Sequence, residues 1–162
     1  MVGALARLNL NKDALHASTK RDAASAVARF PSTNIFHNNL AQAIEMLHAI
    51  DTSIDLIHQY EAKPETSVTP GFKEATGMGI IEAPRGTLFH KVEMTADGKV
   101  KKSHVIVPTG QNQIGIERAI HDWVAVNTDK SKEELSFEIQ KIIRAYDPCM
   151  SCATHFLTIK FR

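Results

Sequence analysis

The sequence predicts a mainly α-helical fold with a small antiparallel β-sheet. Three observations carry this expectation. A long amphipathic stripe runs between residues 34 and 60; Ala96-Asp97-Gly98-Lys99 is a tight-turn signal between two strand-like segments; a capped helical pattern spans residues 132 to 145. A chain of 162 residues is long enough for one domain with a core, and residues 1–162 read as a single domain.

The opening, Val2 to Leu10, is apolar apart from Arg7 and reads as a buried entry segment. Asn11 or Asp13 can cap a first helix running to about Arg29, and the closely spaced alanines Ala23, Ala24, Ala26 and Ala28 favour helix there. Phe30-Pro31-Ser32-Thr33 breaks it, with Ser32 or Thr33 as the next cap. From Asn34 to Tyr60 the residues Ile35, Leu40, Ile44, Leu47, Ile50, Ile54 and Ile57 recur at helical spacing. Such a helix is about 40 Å long at the usual rise per residue. Glu61 to Gly79 holds Pro64, Pro70, Gly71 and Gly77 and reads as loop. Ile80 to Ala83, Thr87 to Met94 and Val100 to Val107 read as strands, the last two joined at Asp97-Gly98. Pro108 to Asn112 is a turn into a helix from about Ile114 to Val126. The last helix, Lys132 to Ala145, is capped by Thr128 or Ser131, carries Glu133 and Glu134 in its first turn, and is stopped by Asp147-Pro148. Phe156 to Arg162 reads as a short strand.

The balance of 43% hydrophobic and 23% charged residues is that of an ordinary globular protein. A net charge of +1, without a basic run interleaved with aromatics, gives no reason to expect nucleic acid or an acidic membrane surface as partner. No window approaches the roughly 20 apolar residues of a membrane span, and the first residues lack the pattern of a signal peptide. The expectation is a soluble, cytoplasmic protein.

The sharpest chemical signal is Asp147-Pro148-Cys149-Met150-Ser151-Cys152-Ala153-Thr154-His155. Two thiolates at this spacing can converge on a soft transition metal; Cys149 and Cys152 are expected within about 5–7 Å of each other on a loop after a helix, with both sulfurs facing one cavity. Alone, the pair reads equally as two buried thiols. It cannot close a four-ligand zinc or iron–sulfur site, so further ligands must come from elsewhere. A redox pair of the thioredoxin kind belongs at the start of a helix after a strand, whereas this one follows a helix. Ala83-Pro84-Arg85-Gly86-Thr87-Leu88-Phe89-His90 is a second segment; alone, Arg85 reads as a solvated arginine and His90 as a partly buried, satisfied histidine. Val107-Pro108-Thr109-Gly110-Gln111-Asn112 is a third, and alone it reads as a helix-capping turn.

Together, in this order, the three segments resemble the large subunits of [NiFe] hydrogenases, which carry A-P-R-G-x-L-x-H, V-P-[TS]-x-x-N and a closing D-P-C-x-x-C-x-x-H. Phe36 to Glu45 also resembles the family, especially its cytoplasmic multi-subunit branch. The resemblance covers nearly the whole chain and implies the C-terminal portion of the large-subunit fold. It implies a nickel–iron centre whose iron carries carbon monoxide and cyanide, and reversible oxidation of H2 to protons and electrons. By resemblance Cys149 is a terminal nickel ligand and a candidate base, and Cys152 bridges nickel and iron. Arg85 lies over the metals, Asp147 orients Arg85 or the cysteine loop, Thr109 donates to a cyanide, and Pro84 and Pro108 wall the pocket. His155 resembles a residue that helps hold a magnesium ion in some relatives.

One departure matters. The family binds nickel with four cysteines, two of them from an N-terminal R-x-C-x-x-C, whereas only Cys149 and Cys152 occur here. Family members are also more than twice this length. Met1 therefore reads as an internal methionine of a longer chain, in a truncated gene, a split gene or an engineered piece. The expected partners are the missing N-terminal half and an iron–sulfur small subunit, since no cysteine is left over for a cluster. An apolar patch around residues 1 to 10 is expected to be uncovered. Two alternatives stand beside this reading: a catalytically inactive remnant or interaction scaffold, and an isolated C-x-x-C zinc or redox module.

Overall fold

The computed structural model describes residues 1–69 and 71–153. His155 and the strand expected over Phe156 to Arg162 lie outside them. The apolar opening is helical: α1 spans Ala4–Asn11 and buries Ala4, Leu5 and Leu8. These spacings put all three on one face, against Leu15, Phe30, Ala41 and Ile44. Burying each leucine contributes about 1.5–3 kcal/mol. The expected apolar patch at residues 1 to 10 is thus largely covered, although Leu10 points outward.

The single helix expected to reach Arg29 is broken into a 3-10 turn at Lys12–Ala14, α2 at Ala17–Asp22 and α3 at Ala24–Val27. Leu15 is extended, and the His16 ring accepts from the Ser18 amide, which caps a new start. Thr19 Oγ1 donates to Asp51 Oδ2 across the helix pair, so tertiary bonding outweighs alanine propensity here.

Helix α4, His37–Gln59, is the expected long helix. Its first half buries Asn38, Ala41 and Ile44, while Ile50, Ile54, Leu56 and Ile57 in its second half are exposed. The sheet has the order β1 (Ala75–Ala83), β2 (Gly86–Met94), β3 (Val100–Ile106), all antiparallel. Strand β1 starts earlier than expected because Gly77 and Gly79 pair with Val92 and His90. Ala83 pairs with Gly86, so Pro84-Arg85 is the turn of the first hairpin. Gly86 has φ 131, and a side chain there meets Val2 Cγ2 at 2.5 Å. The Asp97-Gly98 turn is closed by Thr95 N to Lys99 O at 2.9 Å. Both outer strands are exposed, and Ile80, Phe89 and Ile106 form one cross-strand row.

Helix α5, Pro108–Ala125, starts at Pro108 rather than near Ile114. The expected turn is its first turn, with proline at the position where the missing N–H costs least. Helix α6, Lys132–Ala145, has the expected bounds and a reciprocal Ser131–Glu134 capping box. Asp147 then takes φ 50, a left-handed conformation that turns the chain just before Pro148. A single turn, α7 at Met150–Ala153, follows.

Candidate metal centre

The C-x-x-C pair lies on one helical turn: the Cys152 amide donates to Cys149 O at 3.1 Å. Residues three apart share a face of such a turn, so the two sulfurs meet. They are 2.8 Å apart. Neither is in a disulfide, and Cys152 is exposed. The hydrogen bond from the Cys152 thiol, helped by Ser151 Oγ at 3.1 Å, pulls Cys149 down to about 7. The same bond pushes Cys152 up. The pair therefore shares one proton near neutrality, with the thiolate on Cys149. The Arg85 charge acts on Cys152 in the opposite, lowering direction.

Three elements position this turn. The Cys149 amide donates to Thr109 Oγ1 at 3.2 Å, and Thr109 is 5% exposed in the first turn of α5. Arg85 Nε donates to Asp147 O at 3.1 Å and pairs with Asp147 Oδ2 at 3.2 Å. Gln42 Nε2 donates to the same Asp147 Oδ2 at 2.8 Å. Arg85, Asp147, Thr109, Cys149 and Cys152 are thus gathered from the β1–β2 hairpin, the α6–α7 link and α5. Pro108 is buried as the first residue of α5. Pro84 is exposed, and with Arg7, Glu45 and Glu82 it lines a cavity of about 380 Å³. His90 is exposed within β2.

Further polar residues position these segments. Asn38, 3% exposed, accepts from Leu5 N and donates to Ala145 O, both at 3.0 Å. Asn38, Gln42 and Glu45 follow at i, i+4 and i+7 on α4, a polar line beside an apolar stripe. That interruption was the available signal. Asn112 grips Val2 twice, accepting from its N at 2.8 Å and donating to its O at 3.0 Å. Gln111 Nε2 donates to Thr87 O at 2.6 Å.

The donor set fits half of a four-thiolate nickel site. Two soft sulfurs converge, one of them a thiolate near neutral pH, which is the form a metal takes. Among the described residues, no group of three or more His, Cys, Asp or Glu is placed to hold a metal.

Comparison with known proteins identifies the family. The family model for nickel-dependent hydrogenase matches residues 1–155. Sulfhydrogenase 1 subunit alpha of Pyrococcus furiosus is 32% identical, over 98% of this chain and 37% of its own length. The NAD-reducing hydrogenase HoxS subunit beta of Cupriavidus necator is 33% identical, over 96% of this chain and 34% of its own. The solved structure of an NAD+-reducing [NiFe]-hydrogenase superposes with a TM-score of 0.66 at 30% identity, covering 95% of this chain and 35% of that one. A [NiFeSe] hydrogenase of Desulfovibrio vulgaris Hildenborough, at 21% identity and a TM-score of 0.63, shares the fold. The chain spans little more than a third of the length of these relatives. With the matched model running over nearly all its residues, the chain belongs to the nickel-dependent hydrogenase family.

Proposed function

We propose that this chain is the C-terminal part of a [NiFe] hydrogenase large subunit and contributes two of the four thiolates of a nickel–iron centre, Cys149 as a terminal nickel ligand and Cys152 as a bridge. The observation that carries the reading is the 2.8 Å approach of the two sulfurs on a turn held by Thr109, Arg85 and Asp147. When bound, the centre supplies reversible oxidation of H2, its iron carrying carbon monoxide and cyanide. The chain's own residues bind and orient. The Cys149 thiolate holds nickel and is placed to accept a proton. Arg85, tethered by Asp147 near the cysteines, would offer its remaining guanidinium N–H groups to the centre. Thr109 fixes the Cys149 backbone and would donate its hydroxyl to a cyanide of the bound centre, and Pro84 and Pro108 would wall its pocket. His155, with a magnesium ion, completes the expected set.

The other two thiolates come from a polypeptide carrying R-x-C-x-x-C, and electrons leave through an iron–sulfur small subunit. Both cysteines of the chain are committed to the centre, so none is left for a cluster. Relatives named as alpha or beta subunits, and exposed apolar residues such as Ile80, Ile106 and Ile54, support a place inside a larger assembly. No helix among the described residues is long and apolar enough to cross a membrane. We place the assembly in the cytoplasm.

The test is ligand removal. In the assembled complex, Cys149→Ser and Cys152→Ser each abolish H2-dependent dye reduction and bound nickel. Undiminished activity in either variant removes that residue from the centre.

A further inference from the structure

Arg7 is the only charged residue in the apolar opening, and its guanidinium is fully used. Nε donates to Glu45 Oε1 at 2.7 Å and Nη2 to Glu45 Oε2 at 2.6 Å, a two-pronged grip on α4. Nη1 donates to Glu82 Oε1 at 2.5 Å and to Ala83 O at 3.0 Å. Nη2 donates to Pro84 O at 2.8 Å. A guanidinium has five N–H donors, and here each has an acceptor. Two of the acceptors are the backbone carbonyls immediately before Arg85. Glu45 and Glu82 hold Arg7 still more firmly in its charged form, the Glu45 hydrogen bond contributing most.

A second contact fixes the same turn from the same segment. Gly3, φ 118, lies so close that an added side chain meets Arg85 O at 3.0 Å. A side chain at Gly86 would meet Val2 Cγ2 at 2.5 Å and Gly3 N at 3.0 Å, and Val2 is itself anchored at both backbone atoms by Asn112. The Pro84-Arg85 turn is therefore clasped on its backbone, while the exposed Arg85 side chain is held, among the described residues, through Asp147.

We propose that Arg7, anchored by Glu45, is a positioning residue that sets the Pro84-Arg85 turn and so the direction in which Arg85 faces the cysteine pair. This rests on the function proposed above for Arg85, but the brace itself is a property of the chain. A lysine at position 7 presents a compact ammonium with three donors and cannot span two carboxylates and two carbonyls in one plane.

The test uses the full-length chain, isotopically labelled, as Arg7→Gln, Arg7→Lys and Glu45→Gln. Solvent exchange is followed at Arg85 Nε–H and at the Arg85 and Gly86 amides, with α6 amides as the internal reference. Arg7→Gln speeds exchange at the turn by about tenfold or more and leaves α6 within about twofold, because the opening is local. Arg7→Lys gives a smaller rise. Should Arg7→Gln not fold, Glu45→Gln carries the same comparison. Unchanged exchange at the turn overturns the proposal, as does a rise of equal size in α6. These readings need neither metal nor turnover, so an assembled complex without hydrogenase activity counts against the proposed function alone. In an active complex, Arg7→Gln combined with Arg85→Lys slows turnover no further than Arg85→Lys by itself; additive losses contradict the brace.

Discussion

Cys149 and Cys152 act as a pair because one helical turn puts their sulfurs side by side and they share a proton. Cys149 thus keeps its thiolate down to about 7. Since only the thiolate is nucleophilic, alkylation of the metal-free chain should accelerate through about pH 7, against about 8.5 for an ordinary cysteine. Cys152→Ala removes the main donor and should move that midpoint up by about one unit or more. A midpoint unmoved by the substitution excludes the shared proton. At Arg85 the relevant property is the planar fork. In the assembled complex, Arg85→Lys should keep nickel bound yet lower turnover by about 100-fold or more, the scale of losing one aimed donor. The residue types of this site were legible from three short segments, because proline, glycine, cysteine and arginine stand there in a fixed order. The role of Arg7 leaves no local pattern, since its acceptors lie 38 to 77 positions away; Gln42 stands in the polar line on α4, but its partner Asp147 is 105 positions away.

At the scale of elements, caps and buried side chains decide where helices start and what they hold. Helix α6 was legible to its bounds because Ser131 and Glu134 form a local, reciprocal cap. Ser131→Ala should cost about 1 kcal/mol in a denaturant melt while leaving cysteine alkylation unchanged. The stretch before Phe30 reads as one helix because its alanines favour helix everywhere, while the Thr19–Asp51 bond that shapes it crosses to α4. Asn38 carries the packing between α1, α4 and the end of α6. Asn38→Leu removes the partners of Leu5 N and Ala145 O at a buried position and should destabilise the chain by about 2–3 kcal/mol, measured as a lowered denaturation midpoint. A loss below about 0.5 kcal/mol rules out that role.

Across the whole molecule, a helical body and a projecting sheet meet at the cysteine turn. The body closes on itself: the apolar residues of α1 expected to be bare are mostly buried, and exposed apolar side chains lie on β1, β3 and the second half of α4, with Ile114, Val126 and Phe137 at α5 and α6. Periodicity marked those residues as apolar but carries no information about which faces find partners within the chain. The same limit applies to the proposed metal site, where the sequence shows two cysteines and the fold brings their sulfurs together. In the proposed function these two sulfurs belong to the nickel site of an assembled hydrogenase. Nickel-edge X-ray absorption on the complex, purified with its partner subunits, tests this most directly. The account predicts a sulfur-rich nickel shell and H2-dependent dye reduction, both lost in the Cys149→Ser, Cys152→Ser double variant. A sulfur-rich nickel shell that persists with full activity in that variant contradicts it.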